Sequence, residues 1–146
     1  MWLEIFRLLH DVGLAFGLGG ATIAAVISSK AEKDPEMNNS VMKITPIIVK
    51  FIWIGLILLI VSGIALPYFI QWPINKGMLL IKHVFVVWIV IIGVFIGTRV
   101  KKMKRLAPKG KEKPSGEFLK AKRQLKAFSR INLILWYIVT ILSVFV

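Results

Sequence analysis

The chain contains no cysteine, only two histidines and few acids: seven Asp and Glu residues stand against twenty Lys and Arg. The absence of thiols excludes cysteine-held iron–sulfur clusters, covalent attachment of a c-type haem and structural disulfides. Asp11 is the only acid inside an apolar segment, which argues against a carboxylate pair for intramembrane proteolysis and against a proton relay. The sequence also has no P-loop and no HExxH motif, so nucleotide hydrolysis and zinc proteolysis have no support.

Apolar residues dominate what is present. They make up 57% of the 146 positions, and the mean hydropathy is +0.76. Four segments approach the ~20 residues that a helix needs to cross a bilayer: residues 5–28, 47–70, 78–98 and 128–146. Because backbone polar groups cannot stay unpaired in lipid, these segments are predicted to be helices. The predicted fold class is therefore all-α integral membrane protein, with residues 1–146 forming one four-transmembrane-helix bundle.

The basic residues indicate how the bundle is oriented. Thirteen of the twenty lie between residues 99 and 130. The positive-inside rule places this segment and the first connection in the cytoplasm, so both termini are predicted outside. Only Arg7, Lys76 and Lys82 then remain on the outer side. The charge thus predicts a multi-pass protein of the cytoplasmic (cell) membrane with the lipid bilayer as its surroundings, and no nucleic-acid partner is expected.

The ends of the spans carry local signals. The N-terminus lacks a basic n-region, so it is interpreted as the first span and not as a signal peptide. Residues 29–45 are predicted to be a polar connection, with Pro46 opening the second helix. Residues 71–77 are predicted to be a short turn and residues 100–116 a basic loop. Three aromatic residues are expected at the outer interface: Trp2, Tyr68 and Trp72.

Residues 117–130 precede the fourth span with apolar side chains at helical spacing and basic side chains on the other faces. Ser115 is expected to cap this helix. One interpretation is an amphipathic helix that binds lipid headgroups or a partner. The other is an interfacial continuation of the fourth helix that fixes topology. We favour the second.

His10 and His83 are the candidate metal ligands. Each lies about five residues inside its segment, so at about 1.5 Å per residue both lie one to two turns below the outer surface. Imidazoles at one level on the first and third helices of a bundle suit a six-coordinate b-type haem. The structural alternative is that each histidine only hydrogen-bonds a neighbouring helix or a backbone carbonyl.

Neighbouring residues extend this candidate site. Arg7 and Lys82 are expected to pair with the haem propionates. Gly13 and Gly17 share the face of His10 and would let a helix or a flat macrocycle approach closely. Polar candidates for further contacts are Asp11, Ser62, Asn132, Tyr137 and Thr140. Two GxxxG spacings permit a homodimer: Gly13 with Gly17, and Gly93 with Gly97.

The segment RLLHDVGLAFGLGGATIAAVIS resembles the first helix of small membrane proteins that include the CopD-like proteins and the HemJ-type protoporphyrinogen oxidases. His10 and Gly19–Gly20 stand at the histidine and small-residue positions of that pattern. KGMLLIKHVFVV is similar to the third helix of the family, with Lys82 at the lysine position. FSRINLILWYIVTILSVF resembles the start of the fourth HemJ helix through Arg130 and Asn132. The resemblance covers most of the chain in layout.

The resemblance implies a four-helix membrane bundle, haem b in the HemJ branch and copper handling in the CopD branch. Leu133 stands where the HemJ pattern has an acid, so the haem-binding scaffold is implied and the oxidase activity is not. The leading hypothesis is a haem b-binding membrane protein in electron transfer or oxidoreduction, acting on a quinone or a porphyrin. Two alternatives stay open: a copper-handling protein, and a cofactor-free protein whose basic loop binds lipid or a partner.

Overall fold

The computed structural model describes residues 1–31, 35–70, 73–106 and 115–145, without the side chains of residues 35, 36, 38, 39 and 42. Within these ranges the chain forms helices and no strand. The first helix has three parts, which are α-helical Trp2–Leu14, π-helical Ala15–Gly19 and α-helical Gly20–Ala31. The second, third and fourth helices are Pro35–Phe69, Lys76–Leu106 and Gly116–Leu142.

All four helices are long and apolar enough to cross a membrane. The qualifying spans are Trp2–Ala31, Lys43–Phe69, Lys76–Leu106 and Gly116–Leu142. Large apolar side chains such as Ile57 and Val87 are more than half exposed, as expected where lipid surrounds the bundle. The predicted all-α, four-span fold is confirmed.

The second helix begins earlier than predicted, at Pro35 and not at Pro46. A proline suits the first helical position, because its missing N–H has no partner to lose there. Pro46 lies inside the helix, where the hydroxyl of Thr45 donates to the carbonyl oxygen of Val41 at 2.7 Å. The predicted polar connection over residues 29–45 is therefore wrong for most of its length, since residues 35–45 are helical.

The fourth helix also begins well before the predicted span, at Gly116. The backbone N–H of Phe118 donates to Ser115 Oγ at 3.2 Å, which confirms the predicted cap. Phe118 and Ala121 are buried, with 4% and 2% of their surfaces exposed. This inner face packs into the protein, so the helix is a continuation of the fourth span, as favoured above. Trp2 and Tyr68 are exposed at helix ends, whereas Trp72 and residues 107–114 of the basic loop lie outside the described residues.

The bundle is built from two tightly packed helix pairs, the first with the second and the third with the fourth. The pairs meet mainly where residues 15–31 of the first helix pack on the fourth helix. An even number of spans puts both termini on one side, here called the terminal side. The opposite side, at the ends of Ala31 and Leu106, is called the basic side. The core between the pairs consists of five buried residues: Ala21, Leu56, Ile89, Trp136 and Val139.

Candidate functional site

His10 projects from the first helix toward the second, where its Nδ1 lies 2.9 Å from Ser62 Oγ. The Ser62 hydroxyl donates its own proton to the carbonyl oxygen of Leu58 at 2.6 Å. It can therefore only accept from the imidazole, so Nδ1–H of His10 is the donor. Nε2 then carries the free lone pair. This is the protonation state in which histidine binds a metal, with its second nitrogen held by a hydrogen bond.

Two small residues in the second helix make room for this ring. Ser62 is fully buried, and its bond to a carbonyl of the preceding turn satisfies the hydroxyl without another helix. A Cβ placed on Gly63 would have His10 Cε1 as its neighbour, at 4.0 Å. Ser62 was a candidate for such a contact from the sequence, and the structure confirms it. Gly63 was missed, although a Ser-Gly pair inside the aliphatic run LLIVSGIAL signals a place where another side chain enters.

Lys82 reaches this region from the third helix. Its side chain is half-buried, and its ammonium group lies within Coulombic range of the His10 imidazole. Among the described residues, no carboxylate forms an ion pair with it. A cation inside an apolar span without an acidic partner attracts an anion. Among the predicted site residues, the charge of Lys82 therefore acts on His10.

His83 has a different environment. Its side chain is exposed, and its Nδ1–H donates to the carbonyl oxygen of Leu79, one turn earlier in the same helix, at 2.7 Å. Nε2 is therefore available, as in His10. Across the described residues, however, no Cα atom of the first helix lies within 8 Å of a Cα atom of the third. Joint ligation of one metal by the two histidines stays a prediction.

The glycines at the predicted site are used for helix packing. A Cβ on Gly13 would lie 2.9 Å from the carbonyl oxygen of Gly55, and a Cβ on Gly17 would collide with the indole of Trp136. The first helix therefore approaches the second and fourth helices at these positions, and protein atoms fill the space that a macrocycle would need. We assign neither glycine to a cofactor. Arg7 is exposed about one turn before His10.

The side chains available as ligands limit the kinds of metal site that are possible. In the part of the chain that the structure describes, no three His, Asp or Glu side chains are arranged to hold a metal ion. A multidentate copper site made of such ligands has no counterpart there. A macrocyclic cofactor that brings four of its own nitrogens needs only one or two protein ligands, and that is what His10 and His83 offer.

Residues 4–145 of the chain match a protein family whose description is "Predicted integral membrane protein (DUF2269)". The match includes all four helices. Neither the curated proteins nor the solved structures contain a match to the chain.

Proposed function

We propose that this chain, which belongs to the family "Predicted integral membrane protein (DUF2269)", binds haem b in the membrane and has a redox role. His10 is the axial ligand in this proposal. The observation that carries it is the hydrogen bond from His10 Nδ1–H to Ser62 Oγ. It fixes the ring and its tautomer, leaving Nε2 to bind iron.

Lys82 supports the same assignment from the opposite helix pair. Its ammonium group lies near His10 and has no acidic partner among the described residues. A haem propionate would supply the missing negative charge. The HemJ resemblance noted above has the same two positions, a histidine in the first helix and a lysine in the third.

His83 is the proposed second axial ligand, since its Nε2 also has a free lone pair. If no protein group occupies that position, a bound haem would keep it open for a substrate or oxygen; if a different side chain occupies it, the haem would be six-coordinate with mixed ligands. Bound haem would supply one-electron chemistry, and the protein residues would set its orientation and potential. A lipid-soluble quinone or a porphyrin remains the candidate substrate class, because either can reach a site within the bilayer.

The test is an absorption spectrum of the full chain, expressed with a haem supply and purified in detergent, oxidised and dithionite-reduced. We expect a Soret band and sharp reduced α and β bands that are lost in His10→Ala. High-spin features in His83→Ala would identify His83 as the second ligand. Haem-free protein from a haem-supplied culture, with no binding on titration, would disprove the proposal.

Ser62 provides a sharper version of this test, because it touches the ligand and not the metal. We expect Ser62→Ala to lower haem affinity by roughly 10–100-fold and Ser62→Thr to restore it. The matched control is Ser143→Ala, since Ser143 makes the same kind of hydrogen bond to its own helix, to the carbonyl oxygen of Val139. Equal losses in Ser62→Ala and Ser143→Ala would mean that the effect is structural.

Experiments on haem-free protein distinguish the copper alternative from the haem proposal. If His10 is a haem ligand, we expect Cu(I) titration of haem-free chain to show no stoichiometric site that depends on both His10 and His83. Stoichiometric copper binding that His10→Ala abolishes, in protein that takes up no haem, would favour the CopD-like branch of the resemblance.

A further inference from the structure

A cavity of about 190 Å³ opens between all four helices on the basic side of the bundle. The first helix contributes its wall of small side chains, including Ala24 and Ala25, which are only half-buried although they face inward. The contact of Gly17 with Trp136 lies on the terminal side of this space. Ala21 and Asn132 line the deep end of the cavity. Each lies about one turn from the Gly17–Trp136 contact, toward the basic side.

Asn132 is the polar group at the deep end. Its side chain is 6% exposed, and its Oδ1 has no hydrogen-bond partner among the described residues. A buried amide oxygen without a partner costs free energy, so such a group in a cavity wall indicates a ligand that satisfies it. Because amide oxygen and nitrogen can exchange places by rotation, the side chain can pair with a hydroxyl or with a carbonyl.

Four cationic side chains also line the cavity, and none of its described lining residues is acidic. They are Lys104, Lys122, Lys126 and Arg130. On the fourth helix, Arg130 and Lys126 precede Asn132 by about 3 and 9 Å along the axis. From the basic side inward, the cavity wall thus carries positive charge and then the Asn132 amide, and both lie beside the apolar alanine surface.

From this arrangement we propose that the cavity binds one acidic phospholipid. Its phosphate pairs with the basic side chains of the fourth helix, its glycerol or ester group bonds Asn132, and the upper part of one acyl chain lies against the alanine wall. The volume is below the roughly 300–1,000 Å³ of sites that enclose drug-sized ligands, so only the glycerol region and the upper part of one acyl chain lie inside the cavity. The site is independent of the haem proposal, which concerns the other end of the bundle.

Positive-inside topology alone also produces basic residues on this side, so the experiment must separate a built site from diffuse attraction. The full chain in neutral detergent is titrated with phosphatidylglycerol or with phosphatidylcholine of the same acyl chains. Bound lipid is counted by native mass spectrometry. We expect one phosphatidylglycerol per chain, bound at least about tenfold more tightly than phosphatidylcholine, from the charge at the mouth.

Matched variants locate the site. Replacing Lys122, Lys126 and Arg130 by Gln should weaken phosphatidylglycerol binding by roughly 100-fold. The control replaces three exposed basic residues that do not line the cavity, Lys101, Arg105 and Lys120, and should change affinity only a few-fold. Equal losses in both triple variants would overturn the proposal in favour of diffuse attraction.

Asn132→Leu distinguishes ligand contact from a structural role. Since Oδ1 has no partner in the part of the chain that the structure describes, we expect this variant to unfold at the same or a higher temperature while binding phosphatidylglycerol more weakly. Ala25→Leu should also weaken binding by filling the cavity, whereas Ala127→Leu, on an exposed face, should not. Millimolar inorganic phosphate should leave lipid binding in place. Full competition by phosphate, or lower stability without weaker binding in Asn132→Leu, would disprove the site.

Discussion

Gly17 sets how closely the first helix approaches the fourth. The ring of Trp136 packs where a Cβ of residue 17 would be, and that indole is 1% exposed in the centre of the bundle. Transmembrane helices gain little from apolar burial relative to lipid, so their association depends on close van der Waals packing of this kind. The Gly17–Trp136 contact therefore holds the two helix pairs together.

We expect Gly17→Ala to destabilise the folded chain by about 1–3 kcal/mol, because the new methyl group overlaps the indole and the helices must separate. The measurement is thermal unfolding in detergent. Gly97→Ala is the control: it is also a helical glycine, but no atom lies within 4 Å of its Cβ position, so we expect no loss and about 0.5–1 kcal/mol of gain. Equal losses of stability in both variants would show that replacing a helical glycine, and not overlap with the indole, causes the effect.

A double-variant comparison tests whether the effect of Gly17→Ala depends on Trp136. Trp136→Phe removes one ring, so the double variant with Gly17→Ala should lose less stability than the two single changes combined. Strict additivity would contradict the contact.

Single residues also show where sequence reasoning stops. The residue type and depth of His10 predicted a haem or metal ligand, with a structural hydrogen bond as the alternative, and Ser62 was a candidate for a further contact. The structure shows the His10–Ser62 hydrogen bond, and ligation stays a prediction. The glycine spacing of Gly13 and Gly17 predicted close approach but not the approaching surface, since a small residue accommodates a helix and a macrocycle equally well. Only the packed structure shows Gly55 and Trp136 there.

The π-helical turn Ala15–Gly19 separates two halves of the first helix that pack on different neighbours. Trp2–Leu14 packs on the second helix, and Gly20–Ala31 packs on both the second and the fourth. Such a turn is an α-helix with one inserted residue. In a regular α-helix one inserted residue would rotate the following segment by about 100°. The wider π turn absorbs that residue, so the flanking segments keep their faces.

Deleting Ala15, which is exposed, should convert this turn to regular α-helix and keep the faces of the flanking segments in place. We expect the variant to remain monodisperse with a modest loss of thermal stability. Deleting Ile23, equally exposed but in the α-helical part, should rotate one half by about 100° and prevent folding. Size-exclusion chromatography and unfolding temperature check both. Similar damage from the two deletions would contradict an inserted residue at the π turn.

The number and approximate positions of the helices were predictable from the sequence, whereas the residues at which they begin and end were less so. Hydrophobic length alone located four helices. The extension over residues 35–45 is polar, so a hydropathy criterion cannot include it, whereas the amphipathic residues 117–130 were predicted from their helical spacing to continue the fourth helix. The cap at Ser115 was found because its chemistry is local. The π turn has no comparable local signature: glycines at 17, 19 and 20 are compatible with it and equally with a plain α-helix.

At the scale of the whole molecule, two groups of features lie at opposite ends. The His10–Lys82 region lies toward the terminal side, and the cavity with its four cations opens on the basic side. Among the described helices, Trp2–Leu14 packs only on the second helix and on the π turn, and it makes no contact with the fourth. A redox site and a lipid site can therefore coexist without sharing residues.

The charge distribution makes a specific prediction about which end faces the cytoplasm. Seventeen of the twenty basic residues fall between residues 30 and 50 or between residues 99 and 130, and chains are inserted with such segments retained inside. Because the chain has no native cysteine, single introduced cysteines can be labelled without background. We expect a membrane-impermeant maleimide to label Lys76→Cys and Val144→Cys in intact cells.

The matching variant on the basic side is Lys101→Cys, which is equally exposed in the structure. It should be labelled only after the membrane is permeabilised. The reverse pattern would place the His10 region at the cytoplasmic face, where its electron donor or acceptor would then be an intracellular molecule. Labelling of all three variants in intact cells would contradict a four-span chain with a single orientation. With the expected pattern, Lys82 and the propionate proposed to pair with it lie near the outer surface, and the proposed lipid cavity contacts the inner leaflet, where acidic lipids attract basic segments.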